Sequence, residues 1–375
     1  MITRNILHKI EKELFTGKSI LILGPRQVGK STLTELILEK TTVPHVIFNG
    51  DDADVRELFK NMNELKLKRL FRDAKLVIID EAQRIENIGL TLKIGVDKLK
   101  EVQIIATGSS AFELAEEINE PLTGRKWEHL LLPFSFEEMV NKHGLLTEKR
   151  LLNERLVFGY YPEVVNNPGN EKKILSILSD SYLYKDVLSH QKLKKPDVLQ
   201  SLLKALALQV GNEVSYNELA KTIGADKETV ERYIDLLEKT YVVYRLTAFS
   251  RNVRNELKKS RKIYFYDNGI RNAIIGNFSP VELRTDVGAL WENYVISERL
   301  KYLQKNDFYG FRYFWRTTQQ QEVDYLEEQD AVLKAFEFKW NSTKKHKIPK
   351  TFTDAYPNAE TFIVTPENVE EFLMD

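Results

Sequence analysis

Eight consecutive residues near the start of this 375-residue chain have the types and spacing that bind a nucleoside triphosphate. They fit the pattern G-x-x-x-x-G-K-[ST] and lie between an apolar run and a helical pattern, which is the context that the motif requires. In such a loop, glycines let the backbone approach phosphate oxygens, the lysine contacts the outer phosphates and the hydroxyl binds Mg²⁺. We therefore predict an ATP and Mg²⁺ site in which Lys30 also assists catalysis and Ser31 binds the metal. The residues predicted to bind the nucleotide are Gly24, Pro25, Arg26, Gln27, Val28, Gly29, Lys30, Ser31 and Thr32.

Two adjacent carboxylates, Asp80 and Glu81, end the apolar run Leu76–Ile79. Ligands bind at the carboxyl ends of parallel strands, so we expect both side chains to lie near the phosphate loop. Asp80 would hold Mg²⁺ through water, and Glu81 would polarise the attacking water as a general base. The pair predicts ATP hydrolysis. The alternative is a nucleotide-dependent switch with little turnover.

Two further segments carry weaker signals. In Thr107-Gly108-Ser109-Ser110, Thr107 or Ser109 would sense the γ-phosphate, or the hydroxyls simply cap the next helix. Arg125 lies in a loop leading into a fifth strand and is a candidate arginine finger, in cis or from a neighbouring subunit. A solvated or salt-bridged arginine is the alternative for Arg125.

A parallel sheet would bring these residues together. Short apolar runs alternate with helical patterns, which predicts an α/β fold: a P-loop NTPase sheet with helices on both faces. The predicted helices are Lys30–Glu39 and Leu90–Leu99. The predicted strands are Ser19–Leu23, Val46–Phe48, Leu76–Ile79, Val102–Ala106 and Glu128–Leu132.

The remaining chain changes pattern three times. We predict an ATP-binding core over 1–146, a helical region over 147–210, a winged helix-turn-helix over 211–270 and a small α/β domain over 271–375. The winged helix is predicted from helices Ser215–Thr222 and Asp226–Lys239 and the strand Tyr241–Leu246. In the last domain we expect a long helix from Asp286, followed by strands around Gly310–Trp315, Gln321–Leu326 and Val332–Trp340.

Composition excludes several functional classes. Lys+Arg and Asp+Glu both number 55, so the whole chain is not a general nucleic-acid or membrane adhesive. The absence of cysteine excludes disulfides and thiolate metal sites. Charges interrupt the first residues, and no apolar run approaches the ~18 residues that cross a bilayer. We expect a soluble cytoplasmic protein.

One local basic segment could still bind a nucleic-acid backbone without sequence preference. A solvated connector is the alternative, because runs of charged residues usually lie in solvent. The predicted second helix of the winged helix carries Glu228, Glu231, Asp235 and Glu238, which would repel phosphate and argue against base reading. The basic residues of the segment are Arg251, Arg254, Lys258, Lys259, Arg261 and Lys262.

The motifs together resemble the prokaryotic AAA-type ATPases that carry a C-terminal domain of unknown function. The resemblance rests on Gly24–Ser31, Asp80-Glu81, Thr107–Ser110 and Gly124-Arg125, and on weaker motifs further along the chain. The weaker motifs are Leu219–Leu246, Lys262–Gly269, Trp291-Glu292, Glu322–Asp324 and Glu337–Lys339. This resemblance implies an ATPase core, a winged helix and a domain similar to the restriction-endonuclease fold.

The last domain also contains a possible second metal site. Asp324, followed by Glu337-x-Lys339 on the next strand and preceded by Glu292 on a helix, resembles the metal site of restriction-endonuclease-like nucleases. Carboxylates there would hold Mg²⁺, and Lys339 would help to activate water. The alternative is a half-exposed strand with a solvated Glu–Lys pair, on a scaffold that has no cleavage activity.

The sequence thus predicts a Mg-dependent ATPase whose nucleotide state controls a C-terminal module. That module would bind nucleic acid or a protein partner and would not bind membrane. An ATP-regulated nuclease that uses Asp324, Glu337 and Lys339 is the further alternative.

Overall fold

The computed structural model describes residues 2–109, 122–188, 195–250, 260–341 and 347–374, without the side chains of 181–188. The contacts divide the chain into two compact units. One contains Met1–Pro133 with Lys239–Tyr241, and the other contains Phe134–Glu238 with Val242–Asp375.

The described residues of the first unit form a parallel five-stranded sheet in the order β2-β3-β4-β1-β5. Its strands are β1 (Ser19–Leu23), β2 (His45–Asn49), β3 (Leu76–Asp80), β4 (Gln103–Gly108) and β5 (Lys126–Leu130). The predicted fold class is confirmed. Strand β5 begins two residues before the predicted strand and directly after Arg125.

Helices cover both faces of this sheet, so its central strands are apolar throughout. Every residue of β1 and β4 is buried, as are the first four residues of β3. This is the pattern expected for strands between two helical layers. The helices are α1 (Leu7–Glu13), α2 (Lys30–Lys40), α3 (Ala53–Leu58), α4 (Glu64–Phe71) and α5 (Ile88–Lys98).

The second unit begins with helices and continues into helices packed on a second sheet. Its first group is α6 (Phe136–His143), α7 (Leu145–Arg150), α8 (Leu152–Phe158), α9 (Pro162–Asn166), α10 (Glu171–Leu188) and α11 (Pro196–Leu208). The later helices are α12 (Tyr216–Ile223), α13 (Lys227–Lys239), α14 (Asn268–Ile274), α15 (Val287–Lys305), α16 (Lys350–Ala355) and α17 (Val369–Met374).

The second sheet has six strands among the described residues, in the order β11-β10-β9-β8-β6-β7. They are β6 (Val243–Ala248), β7 (Arg261–Phe265), β8 (Phe311–Arg316), β9 (Glu322–Gln329), β10 (Val332–Phe338) and β11 (Glu360–Val364). Strands β6 and β7 form an antiparallel pair, and β6 also pairs in parallel with β8. The segments predicted as a winged helix and as a separate α/β domain therefore share one sheet.

A buried charge network fixes the start of the long helix α15. Asp286, which precedes this helix, accepts from Arg271 Nη1 at 2.6 Å and from Arg284 Nε at 2.8 Å. Both arginine side chains are buried. Burial raises the pKa of Asp286, but the hydrogen bonds from Arg284 and Arg271 outweigh it and lower the pKa to about 2. The network positions the helix that carries Glu292.

We predict that Asp286→Ala destabilises the second unit at neutral pH because two buried guanidinium groups lose their carboxylate. The loss should approach ~3 kcal/mol, the lower end for a broken buried ion pair, since the Asp286 side chain is 28% exposed. The folded pKa of about 2 lies below the unfolded value of ~3.9, so this stabilisation is complete above pH ~4 and is lost as the pH falls towards 2.

Urea unfolding followed by tryptophan fluorescence should therefore show a larger loss at pH 7 than at pH 3. Asp354→Ala, which changes an exposed aspartate on α16, is the control and should be close to neutral. Equal losses for Asp286→Ala at the two pH values would contradict the charge assignment.

Candidate active site

The phosphate loop connects β1 to α2 through residues that need unusual backbone angles. Gly24 has φ +151°, Gln27 +58° and Gly29 +91°. A Cβ atom on Gly24 would lie 2.0 Å from the Leu131 carbonyl oxygen, so only glycine fits there. Lys30 is the first residue of the 11-residue α2, and the helix N-terminus is thus available to an anion.

Lys30 is buried against its own loop. Its Nζ donates to the carbonyl oxygens of Gly24 and Pro25, each at 2.9 Å. Arg4, also buried, donates to the carbonyl oxygens of Val28 at 2.8 Å and Leu132 at 2.6 Å. The ammonium can exchange its two carbonyl contacts for phosphate oxygens, while Arg4 holds the loop from outside. Sequence reasoning missed Arg4, and its distance from the motif gave no signal.

Asp80 ends β3 and lies against the phosphate loop. Its Oδ2 accepts from Ser31 Oγ at 3.0 Å, and its Oδ1 accepts a short hydrogen bond from Thr107 Oγ1. The Thr107 hydroxyl also accepts from the backbone N–H of Glu81 at 3.1 Å. The structure therefore brings together Ser31, Asp80, Glu81 and Thr107 at the carboxyl edge of the sheet. A hydroxyl and a carboxylate side by side are hard oxygen donors that suit Mg²⁺.

Glu81 is held by a residue that the sequence did not single out. It has φ +48°, in the left-handed region, and its Oε2 accepts from Gln83 Nε2 at 2.5 Å. The same amide nitrogen donates to Ser109 Oγ at 3.0 Å. Gln83 Oε1 is buried, without a hydrogen-bond partner among the described residues. Gln83 thus links the predicted general base to one predicted γ-phosphate sensor.

Arg125 is not part of this group. The residue after it, Lys126, pairs with Ser19 at the amino end of β1, and the backbone N–H of Ser19 donates to the Arg125 carbonyl at 3.0 Å. Five residues of strand, about 16 Å, separate that edge from the phosphate loop. The Arg125 Nε pairs with Asp97 at 2.6 Å. This geometry gives no support to a role in cis, while the role in trans stays a prediction.

The residues needed for the sensing alternative for Thr107–Ser110 are described, but those needed for the capping alternative are not. Thr107 and Ser109 contact the site as described, whereas Ser110 and the predicted helix after it lie outside the described residues. Sensing by Ser109 stays a prediction.

The structure also places the residues of the second predicted metal site close to one another, within the second unit. Lys339 Nζ lies 2.5 Å from Glu337 Oε1 and 3.8 Å from Asp324 Oδ2. Carboxylate oxygens of Glu292, Glu322 and Asp324 all lie within 4.8 Å of one another. Burial, then Glu292 and Glu337, raise the pKa of Asp324 well above its usual range. Glu337 is only 9% exposed, so its carboxylate is not solvated as the alternative required, whereas the Lys339 side chain is 32% exposed.

The basic segment is only partly described, since Arg251, Arg254, Lys258 and Lys259 lie outside the described residues. Arg261 lies 3.7 Å from Glu231. Both interpretations of the segment, a surface for a nucleic-acid backbone and a solvated connector, place Lys262 in solvent, and the structure does not. Its side chain is 1% exposed and ion-paired.

Comparison with known proteins divides the chain into three matched parts. Residues 16–140 match the family described as AAA domain, 149–281 a domain of unknown function (DUF8612) and 287–373 another (DUF4143). The AAA match and the parallel sheet support an AAA-type P-loop NTPase fold for the first part. The predicted names winged helix and nuclease-like domain stay predictions.

Three similar curated proteins are described as uncharacterized. One from Mycobacterium tuberculosis is 27% identical over 351 residues, 91% of this chain and 74% of its own length. One from Haemophilus influenzae is 29% identical, over 70% of this chain and 67% of its own. One from Methanocaldococcus jannaschii is 26% identical, over 76% and 69%. The crystal structure of Bacteroides Pif1 bound to ssDNA covers 41% of this chain and 49% of its own at 16% identity and TM-score 0.25, too low to bear on function.

No described helix is long and apolar enough to span a bilayer.

We predict that Lys30→Ala removes ATP binding at micromolar nucleotide. The lost electrostatic contact to the outer phosphates should cost ~3–4 kcal/mol, a fall of about 10²–10³-fold in affinity. Isothermal titration with Mg·ATP is the measurement. Lys40→Ala is the matched control, because this lysine ends the same helix and pairs with Glu11 at the surface. Unchanged Mg·ATP affinity in Lys30→Ala would contradict the assignment of Lys30 as a phosphate-binding residue.

Proposed function

We propose that the protein is a Mg-dependent ATPase whose nucleotide state controls a C-terminal interaction module. The observation that carries the proposal is the contact of Ser31 with Asp80, beside Glu81, at the mouth of the phosphate loop. A phosphate loop alone binds nucleotide. A strand-terminal Asp-Glu pair against the loop's hydroxyl adds a metal position and a base, which hydrolysis requires.

Each residue has a distinct role in this scheme. Gly24–Ser31 enclose the phosphates with backbone N–H groups, and Lys30 balances charge on the outer two. Ser31 and Asp80 would hold Mg²⁺, which when bound offsets phosphate charge. Glu81 accepts a proton from the attacking water. Gln83 and Ser109 fix where the Glu81 carboxylate lies.

The contact between Glu81 and Gln83 also favours a second candidate, a switch with little turnover. While Glu81 Oε2 accepts a hydrogen bond from Gln83 at 2.5 Å, that oxygen is engaged by a protein donor and is not available to orient a water molecule. In that case nucleotide occupancy would carry the signal, and Glu81 would turn over ATP only after release from Gln83.

The C-terminal module is proposed to bind nucleic acid or a protein partner. The support is a sheet domain with a buried to half-buried charged cluster of nuclease-like composition, Glu292, Asp324, Glu337 and Lys339. ATP-regulated cleavage is the alternative. Incubation with plasmid and oligonucleotides in Mg²⁺ or Mn²⁺, beside an Asp324→Ala, Glu337→Ala double variant, separates the two. Cytoplasmic localisation stays a prediction.

We predict that Glu81→Gln still binds Mg·ATP but hydrolyses it at least ~10²-fold more slowly, because general-base catalysis is worth about 10²–10⁴-fold. Steady-state phosphate release and isothermal titration measure the two properties. Glu86→Gln, an exposed glutamate five residues on, is the control and should behave as wild type. If Glu81→Gln hydrolysed ATP at the wild-type rate, another group would have to activate the attacking water. If wild type and Glu81→Gln both showed negligible turnover, the result would favour the switch.

A further inference from the structure

A buried lysine lies among the acidic side chains of the second unit. We define the carboxylate cluster as Glu292, Glu322, Asp324 and Glu337. Lys262, on β7, places its Nζ 2.9 Å from Glu292 Oε1 and in a short ion pair with Glu322 Oε1. Its side chain is 1% exposed. The ammonium thus contacts two of the three residues whose oxygens converge closely enough to hold a metal ion.

The surroundings hold Lys262 in this position. Tyr264, two residues along the same strand, donates to Glu292 Oε1 at 2.5 Å, the oxygen that Lys262 also contacts. The ring of Phe314 lies 5.4 Å from the ammonium. Lys339 contacts the opposite part of the cluster, Glu337 and Asp324.

Charge balance explains why an ammonium is needed there. Four buried or half-buried carboxylates this close repel one another strongly in a low-dielectric environment. Lys262 and Lys339 supply two positive charges, and Arg316 reaches Glu322 Oε2 at 3.4 Å. Glu337 Oε2 remains buried without a hydrogen-bond partner among the described residues, so the side chains present do not satisfy every oxygen of the cluster.

A divalent metal ion would compete for the same oxygens. Such an ion lies about 2.0–2.6 Å from its oxygen ligands. An ammonium 2.9 Å from Glu292 and closer to Glu322 already fills the space between those carboxylates, and two cations at that separation repel. In this arrangement the cluster does not fit the metal that a nuclease-like site would use.

We propose that Lys262 is the resident cation of the carboxylate cluster and that it excludes divalent metal ions from it. The second unit then keeps the residues of a nuclease-like centre with a side chain where the metal would lie. The proposal does not depend on ATP hydrolysis by the first unit. It rests on the proposed nuclease-like character of the second unit, and it implies that no metal-dependent cleavage occurs there while Lys262 is in place.

The test is Mn²⁺ binding by the full chain without nucleotide, in an Asp80→Asn background that removes the metal position at the phosphate loop. Free Mn²⁺ is followed by electron paramagnetic resonance, and thermal unfolding is measured with and without Mn²⁺. The parent should bind no Mn²⁺ at the cluster below about 1 mM. Adding Lys262→Met should create one site at least ~10-fold tighter, and Mn²⁺ should stabilise that variant but not the parent.

Three control variants test whether the gain in Mn²⁺ affinity is specific to the loss of the Lys262 charge. Lys262→Arg keeps the charge and should not gain the site. Lys339→Met removes the other lysine of the cluster but leaves Lys262 on Glu292 and Glu322, and it should gain little. Adding Glu292→Gln to Lys262→Met should remove the new site.

Two results would overturn the proposal. One is a parent protein that binds Mn²⁺ at micromolar concentration and loses it on Glu292→Gln, which would show that Lys262 does not exclude the metal. The other is a folded Lys262→Met variant with no gain in Mn²⁺ affinity. If Lys262→Met folds only with Mn²⁺, the proposal is supported. If Lys262→Met does not fold at all, the Mn²⁺ titration of the parent protein still tests the proposal, because micromolar binding that Glu292→Gln removes would overturn it.

Discussion

The hydrogen bonds that run from Ser31 through Asp80 to Thr107 join three segments that are far apart in the chain. They exist because β1, β4 and β3 are adjacent and parallel, so all three strands end at one edge. The phosphate loop, the acidic pair and the hydroxyls each follow one of those ends. Without that strand order, Lys30 and Glu81 would not lie close enough to act on the same bound nucleotide.

Much of this could be predicted from sequence, because it depends on local pattern. The loop glycines, the apolar runs and the position of Asp80 after a buried strand are all local, and the strand bounds agree to within two residues or so. Arg125 shows what was overlooked. A residue that precedes a parallel strand lies at the amino edge of the sheet, so its separation from the phosphate loop could have been foreseen.

Other contacts had no such signal. Arg4 supports the loop from 24 residues before Val28, and Gln83 gains its role from the turn after β3, which aims its amide at Glu81. In the second unit, Lys262 lies in a run of basic residues, a pattern that predicts solvent exposure. Its burial follows from the pairing of β7 with β6 and from two acidic partners, Glu292 and Glu322, that come from later elements. Zero net charge over the whole chain conceals this local pairing.

The central claim is that Gly24–Ser31, Asp80 and Glu81 form one nucleotide site, and a structure with Mg²⁺ and a non-hydrolysable ATP analogue tests it most directly. The account predicts that Lys30 Nζ leaves the carbonyl oxygens of Gly24 and Pro25 for the outer phosphates. It also predicts that the metal lies between Ser31 Oγ and Asp80. An analogue bound elsewhere, or a phosphate loop that remains empty at saturating analogue with Lys30 still on its carbonyls, would contradict it.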